Sequence, residues 1–122
     1  MKILIVEDND LLRKLILDSL THHFPKDEVI TFQNGEDAVE EIKKESMDVA
    51  VLDIHLPGMN GLKITRMIRN LYQNAFIIIY TNYSFKEYRE NAITSGVDHF
   101  LSKDNNSPAD LARLIKKAKE KI

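Results

Sequence analysis

The chain has 122 residues, 43% of them hydrophobic and 30% charged, with 17 Lys and Arg against 19 Asp and Glu for a formal net charge of −2. That length suits one compact domain over residues 1–122, and the near-neutral balance argues against a general polyanion binder, whose affinity comes from basic side chains neutralising phosphates. The absence of cysteine excludes a disulfide framework, a CxxC redox pair and a thiolate zinc site.

Glu7 and Asp8 follow Met1 too soon for a signal peptide, and apolar runs such as Phe76–Tyr80 are far below membrane-spanning length. A cytoplasmic protein without membrane contact is expected. In chain order, Ile3–Val6 is continuously apolar and predicts a strand buried on both faces. Leu11, Leu12, Leu15, Ile16 and Leu20 follow at helical spacing, with Asn9 or Asp10 as cap. Val29–Phe32 carries a polar interruption and predicts an edge strand; Asn34 then opens a helix through Ala38, Val39 and Ile42. Val49–Leu52 is the second central strand, and Asn60 precedes a helix through Leu62, Ile64, Met67, Ile68 and Leu71. Phe76–Tyr80 is the third central strand, before a capping-box spacing at Ser84–Glu87. Val97–Leu101 predicts the other edge, and Ser107-Pro108 starts a last helix through Leu111, Leu114, Ile115 and Ala118.

Five strands alternating with five helices predict an α/β fold: a doubly wound (βα)5 with helices on both faces of a parallel sheet. With the three apolar runs central, the simplest strand order is 2-1-3-4-5, the flavodoxin-like arrangement. Ligands in such sheets bind beyond the carboxyl ends of the strands where the order reverses, here between strands 1 and 3. Glu7 and Asp8 end the first strand and Asp53 ends the third, so three carboxylates converge there. Two unit charges ~4 Å apart at an effective dielectric of ~20 repel by about 4 kcal/mol, so the cluster calls for a cation or a proton. Oxygen donors without sulfur favour Mg²⁺, with Mn²⁺ an acceptable substitute. The simpler reading is that these acids cap the helices that follow. Thr81 and Lys103 fall at the ends of strands 4 and 5. Alone they read as a strand-end hydrogen bonder and a solvated charge. Together with the acids they make the set that phosphoryl transfer to an aspartate needs: nucleophile, cation site, hydroxyl and ammonium.

At this point the sequence resembles the receiver domains of two-component response regulators, along its whole length. Ile3–Asp10 is similar to the family's opening strand and acidic pair, and Asp53–Gly61 to the stretch that begins with its phosphoacceptor. The resemblance implies that Asp53 accepts a phosphoryl group from the phosphohistidine of a sensor histidine kinase or phosphotransfer protein. It implies a metal site of Glu7, Asp8, Asp53 and the backbone carbonyl of His55, with Thr81 and Lys103 on the phosphoryl oxygens. It also implies a switch in which Thr81 moves inward with Phe100, changing the surface of helix 4, strand 5 and helix 5 toward an effector, an output domain or a phosphorylation-dependent homodimer. No turnover of an external product and no direct nucleic-acid contact by this domain are expected.

Several residues depart from the family pattern. Glu7 stands where Asp is commoner, and Asp104 follows Lys103 where many receivers have proline, so a cis peptide is not expected there. The Lys-Asp pair is similar to receivers that precede helix-turn-helix domains, which leaves open a fragment of a larger DNA-binding regulator. His55 and Tyr83 occupy positions that influence water access to the phosphoryl group, and Asn82 replaces a small residue. Pro57-Gly58 suits the centre of a type II turn. The run Lys116, Lys117, Lys119 and Lys121 reads as a solvated helix end that complements the helix dipole. The enzyme alternative, an aspartate-nucleophile phosphatase, would place a second Asp where His55 stands. A flavodoxin-like cofactor binder would need a phosphate loop where Glu7–Asp10 would repel one.

Overall fold

A computed structural model describes residues 1–120 of the chain. The strands are β1 (Lys2–Val6), β2 (Glu28–Phe32), β3 (Val49–Leu52), β4 (Phe76–Thr81) and β5 (His99–Ser102). They pair in parallel in the order β2-β1-β3-β4-β5. The helices are α1 (Asp10–His23), α2 (Gly35–Lys44), α3 (Gly61–Leu71), α4 (Lys86–Ser95) and α5 (Pro108–Glu120). The continuously apolar runs are central because both of their faces are covered. Along β1, Ile3 and Ile5 pack under α1 and α5 with Ile16, Leu20, Leu111 and Ile115, while Leu4 and Val6 pack under α2 and α3 with Ile42, Ile64 and Ile68. That is the two-residue alternation of a strand read on two cores at once. The half-buried strands β2 and β5 are the edges, as their polar interruptions require.

Helix starts follow capping chemistry in four of five cases. Asn9, not Asp10, caps α1 by accepting the Leu12 N–H, and Asn34 and Asn60 do the same for α2 and α3. Ser107 and Asp110 bond reciprocally at the start of α5. The capping box expected at Ser84 does not form: α4 begins at Lys86, and its cap residue Phe85 supplies no side-chain bond. The two buried residues of α4, Ala92 and Ser95, are both small, whereas the two of the longer α1 are Ile16 and Leu20, so α4 is weakly anchored in the core. Its other end is firm, since Gly96 is left-handed at φ 101° and the Val97 N–H returns to the Ala92 carbonyl. That closure consumes Val97, so β5 starts two residues later than its apolar pattern suggests. Lys121 lies outside the described residues; Lys116, Lys117 and Lys119 are exposed on α5. Among the described residues no helix is long and apolar enough to cross a membrane.

Candidate phosphoacceptor site

Parallel strands that end together deliver their next residues to one edge of the sheet. Asp53 follows β3 with its N–H on the Val6 carbonyl at 3.2 Å, and Glu7 follows β1 with its N–H on the Phe32 carbonyl at 3.0 Å. Lys103 follows β5, its N–H on the Thr81 carbonyl at 2.9 Å. Those three registrations bring the side chains together. The Lys103 ammonium donates to Asp53 Oδ2 at 2.6 Å and lies 2.6 Å from Glu7 Oε1. The other oxygens are held as well: Glu7 Oε2 accepts the Asn9 N–H at 3.0 Å and Asp53 Oδ1 accepts the Ile54 N–H at 2.7 Å. All three side chains are at most 10% exposed.

Burial pushes the Glu7 carboxyl above its ordinary value, with the Asp53 charge adding to it, against the pull of Lys103 and the Asn9 N–H. Burial pulls Lys103 down, but its hydrogen bonds to Asp53 and Glu7 outweigh that and hold the ammonium above its usual range. Oxygens of Glu7, Asp8 and Asp53 lie within 4.8 Å of one another, with Asp8 exposed at the rim. Three hard carboxylate donors at this spacing fit a divalent cation that keeps several waters. The surrounding cleft, about 850 Å³, includes His55, Asn82 and Tyr83, and its far wall is the exposed pair Leu11 and Leu15 of α1.

Five of the expected residues therefore share this edge: Glu7, Asp8, Asp53, His55 and Lys103. Thr81 is completely buried as the last residue of β4, and its hydroxyl accepts the Tyr83 N–H at 3.1 Å. Among the described residues it makes no hydrogen bond to Asp53. Phe100 is half-buried on β5 with the Arg89 guanidinium of α4 over its ring at 5.4 Å. The His55 imidazole stacks on Tyr83 with centroids 3.9 Å apart, and Tyr88 of α4 closes the group at 5.6 Å from each.

The connection from β3 to α3 departs from expectation in one respect. Gly58 has φ 81°, as a type II turn would require, but Met59 bonds the Pro57 carbonyl at 3.1 Å, closing over a single residue. The same carbonyl also accepts the Gly35 N–H at 3.0 Å, which ties the loop to α2. No peptide bond among the described residues is cis, in line with Asp104 after Lys103. Arg13 was not legible as a site residue: its guanidinium donates to the Glu7 carbonyl at 2.9 Å and pairs with Asp10 at 2.6 Å. Only the spacing from Asp10 hinted at it.

This edge, with an aspartate, paired acids and a lysine on a five-stranded parallel sheet, defines a receiver. The chain belongs to the response regulator receiver domain family, whose model matches residues 3–117. It is 34% identical over 106 residues to a cyclic di-GMP phosphodiesterase of Thermotoga maritima, covering 87% of this chain but 28% of that protein. It is 29% identical to the chemotaxis protein CheY of Halobacterium salinarum, covering 88% of each. Among solved structures it is similar to a DNA-binding response regulator of the LuxR family from Staphylococcus aureus, at 32% identity and a TM-score of 0.85, covering 95% of this chain and 96% of that one. The chain spans about a third or less of the first multidomain relatives it matches. The family is that of two-component systems, in which phosphorylation and Mg²⁺ binding are typical, and the phosphatase alternative is not favoured.

Proposed function

We propose that residues 1–122 form one receiver domain, with Asp53 its phosphoacceptor. The observation that carries this is the contact of Lys103 with both Asp53 and Glu7 at 2.6 Å, in a cleft open to a donor. One Asp53 carboxylate oxygen attacks the phosphorus of a phosphohistidine, the P–N bond breaks, and the imidazole leaves with its electron pair. Glu7, Asp8, Asp53 and the His55 carbonyl would hold Mg²⁺, which supplies charge neutralisation for the incoming phosphoryl oxygens. Lys103 stabilises the same charge from the other side. Thr81, freed to donate its hydroxyl proton, would take a further phosphoryl oxygen, and its turn would draw Phe100 inward.

The partners are then a sensor histidine kinase or phosphotransfer protein on the cleft and an effector or output domain on the face of α4, β5 and α5. A homodimer on that face is a second use of the same surface. The weak anchoring of α4 supports its role as the moving part. The protein acts in the cytoplasm and passes on its state without turning over an external product.

Incubation with acetyl phosphate and Mg²⁺, followed by intact mass, tests the reading. A single phosphoryl adduct is expected, lost in Asp53→Ala; an adduct that persists in the variant would place the acceptor elsewhere. In the same phosphorylated sample, backbone amide shifts should move on α4 and β5 around Phe100, and an unchanged face would remove the switch.

The stacked His55 and Tyr83 rings form the wall beside Asp53 from which water would approach the phosphoryl group. Tyr83→Ala is expected to speed loss of the adduct roughly tenfold, equivalent to about 1.4 kcal/mol of barrier. An unchanged decay followed by mass would show that the stack does not limit water.

A further inference from the structure

The ammonium of Lys103 is held to 2.6 Å from two carboxylates, yet the residue opens a loop with no proline between β5 and the Ser107 cap of α5. Something other than ring stiffness must fix its backbone. Upstream, the Lys103 N–H is registered on the Thr81 carbonyl. Downstream, the loop closes on Ser102: its hydroxyl accepts the Asp104 N–H at 3.2 Å, and its carbonyl accepts the Asn105 N–H at 3.3 Å and the Asn106 side-chain amide at 3.0 Å. The far end of this turn is also tied to β4. The Tyr80 hydroxyl donates to the Asn106 carbonyl at 2.6 Å.

Tyr80 is suited to that task. It precedes Thr81 on β4, so its side chain leaves by the opposite face and lies in the core beneath α1 and α5, with Ile5, Ile16 and Leu111. It is 2% exposed, and packing against these apolar side chains holds its ring. A buried phenol needs a partner, and the one it has is the last loop carbonyl before Ser107.

Resting on the assignment of Lys103 to the phosphoacceptor site, we propose that Tyr80 is a positioning residue for Lys103. Its hydroxyl holds the Asn106 carbonyl, closes the turn over Ser102 and fixes the backbone from which the ammonium reaches Glu7 and Asp53. Tyr80 never touches the phosphoryl group. Its effect passes through where Lys103 can be, so it should appear in two quantities with opposite signs. A loosened Lys103 stabilises phosphoryl transfer less well, which slows the reaction. It also competes less well with a divalent cation for Glu7 and Asp53, which tightens metal binding. A merely structural defect would worsen both.

The test uses Tyr80→Phe, which keeps the ring, and Asn106→Ala, which removes the bond to Ser102. Mg²⁺ alone is titrated into each by calorimetry, and phosphorylation by acetyl phosphate is followed at saturating Mg²⁺. Loss of one neutral hydrogen bond predicts phosphorylation about three- to tenfold slower in Tyr80→Phe, with Mg²⁺ bound about twofold more tightly or better. Asn106→Ala should change both in the same directions. In a Lys103→Met background, Tyr80→Phe should have no further effect on the Mg²⁺ Kd, because the group it positions is gone. Weaker Mg²⁺ binding in Tyr80→Phe, unchanged values, or an equal effect in the Lys103→Met background would each overturn the proposal. Failure of the wild-type chain to bind Mg²⁺ would instead overturn the site itself.

Discussion

Lys103→Met should leave the metal-free protein about 2–3 kcal/mol less stable at neutral pH and slow phosphorylation on the order of 100-fold. The first figure lies at or below the 3–5 kcal/mol typical of breaking a buried ion pair, because the cleft admits some water to the orphaned acids. The second is the usual scale for removing one preorganised charge from a site where charge develops. The substitution takes one cation from between Glu7 and Asp53, and what remains is two buried like charges. Glu7 already sits above the ordinary glutamate value of 4.5 through burial, and losing the ammonium drives it higher.

The sign of the pH dependence follows. A carboxyl whose folded value exceeds its unfolded one adds stability while it is protonated in both states, and loses that contribution as pH rises through the folded value. The variant should therefore recover stability on acidification toward pH 5, and should recover it at pH 7 when Mg²⁺ replaces the missing positive charge. Urea unfolding in chelator at both pH values, then with Mg²⁺, checks each limb. A variant as stable as wild type in chelator, or one indifferent to Mg²⁺, would mean that Lys103 is not the counterion of this cluster.

Gly61→Ala carries the second large effect, about 3 kcal/mol of destabilisation and a fall in Tm on the order of 10 °C, with loss of phosphoryl uptake. Gly61 is the first residue of α3, and its N–H bonds the Ile54 carbonyl at 2.9 Å. A Cβ there would lie 2.8 Å from the Asp53 carbonyl carbon, closer still to its oxygen, and 3.2 Å from the Ile54 Cα. These are backbone atoms that cannot step aside, because Asp53 is itself registered on Val6. Relief must come from moving either α3 or Asp53. Gly58→Ala makes a useful contrast: its cost is the positive φ of 81° and a contact with the flexible Glu36 side chain, about 1 kcal/mol, leaving Asp53 in place. Thermal unfolding of the two variants separates the mechanisms. Equal losses would show that the close approach at Gly61 is relieved at little cost.

The readable parts of the fold were those whose cause lies along the chain. Ile3–Val6, Val49–Leu52 and Phe76–Tyr80 are apolar at every position, so they could only be covered on both faces, and β1, β3 and β4 are the central strands. Asn34 and Asn60 announced their helices because a cap acts within three residues. Ser84–Glu87 has the same local signature, yet Phe85 takes the cap position and α4 begins at Lys86. There a local preference lost to the geometry of the loop, in which the Thr81 hydroxyl already holds the Tyr83 N–H. The late start of β5 has a similar origin, since the closing turn at Gly96 claims Val97 before the sheet can.

The acids of the site were legible for a simple reason: residues immediately after parallel strands share an edge, and strand order follows from hydrophobicity. By itself, then, the sequence determined the strand order, the central and edge strands, and the arrival of Glu7, Asp8, Asp53 and Lys103 at one rim. Only the tertiary structure decided how they meet. That Lys103 bridges Glu7 and Asp53 depends on three separate strand registers, that Arg13 pins the Glu7 carbonyl depends on the turn into α1, and that Tyr80 reaches Asn106 depends on the packing under α5. Such contacts join residues up to 96 positions apart, Glu7 and Lys103 being the widest pair. No periodicity or local propensity encodes a distance of that kind; it is set when two cores close on one sheet.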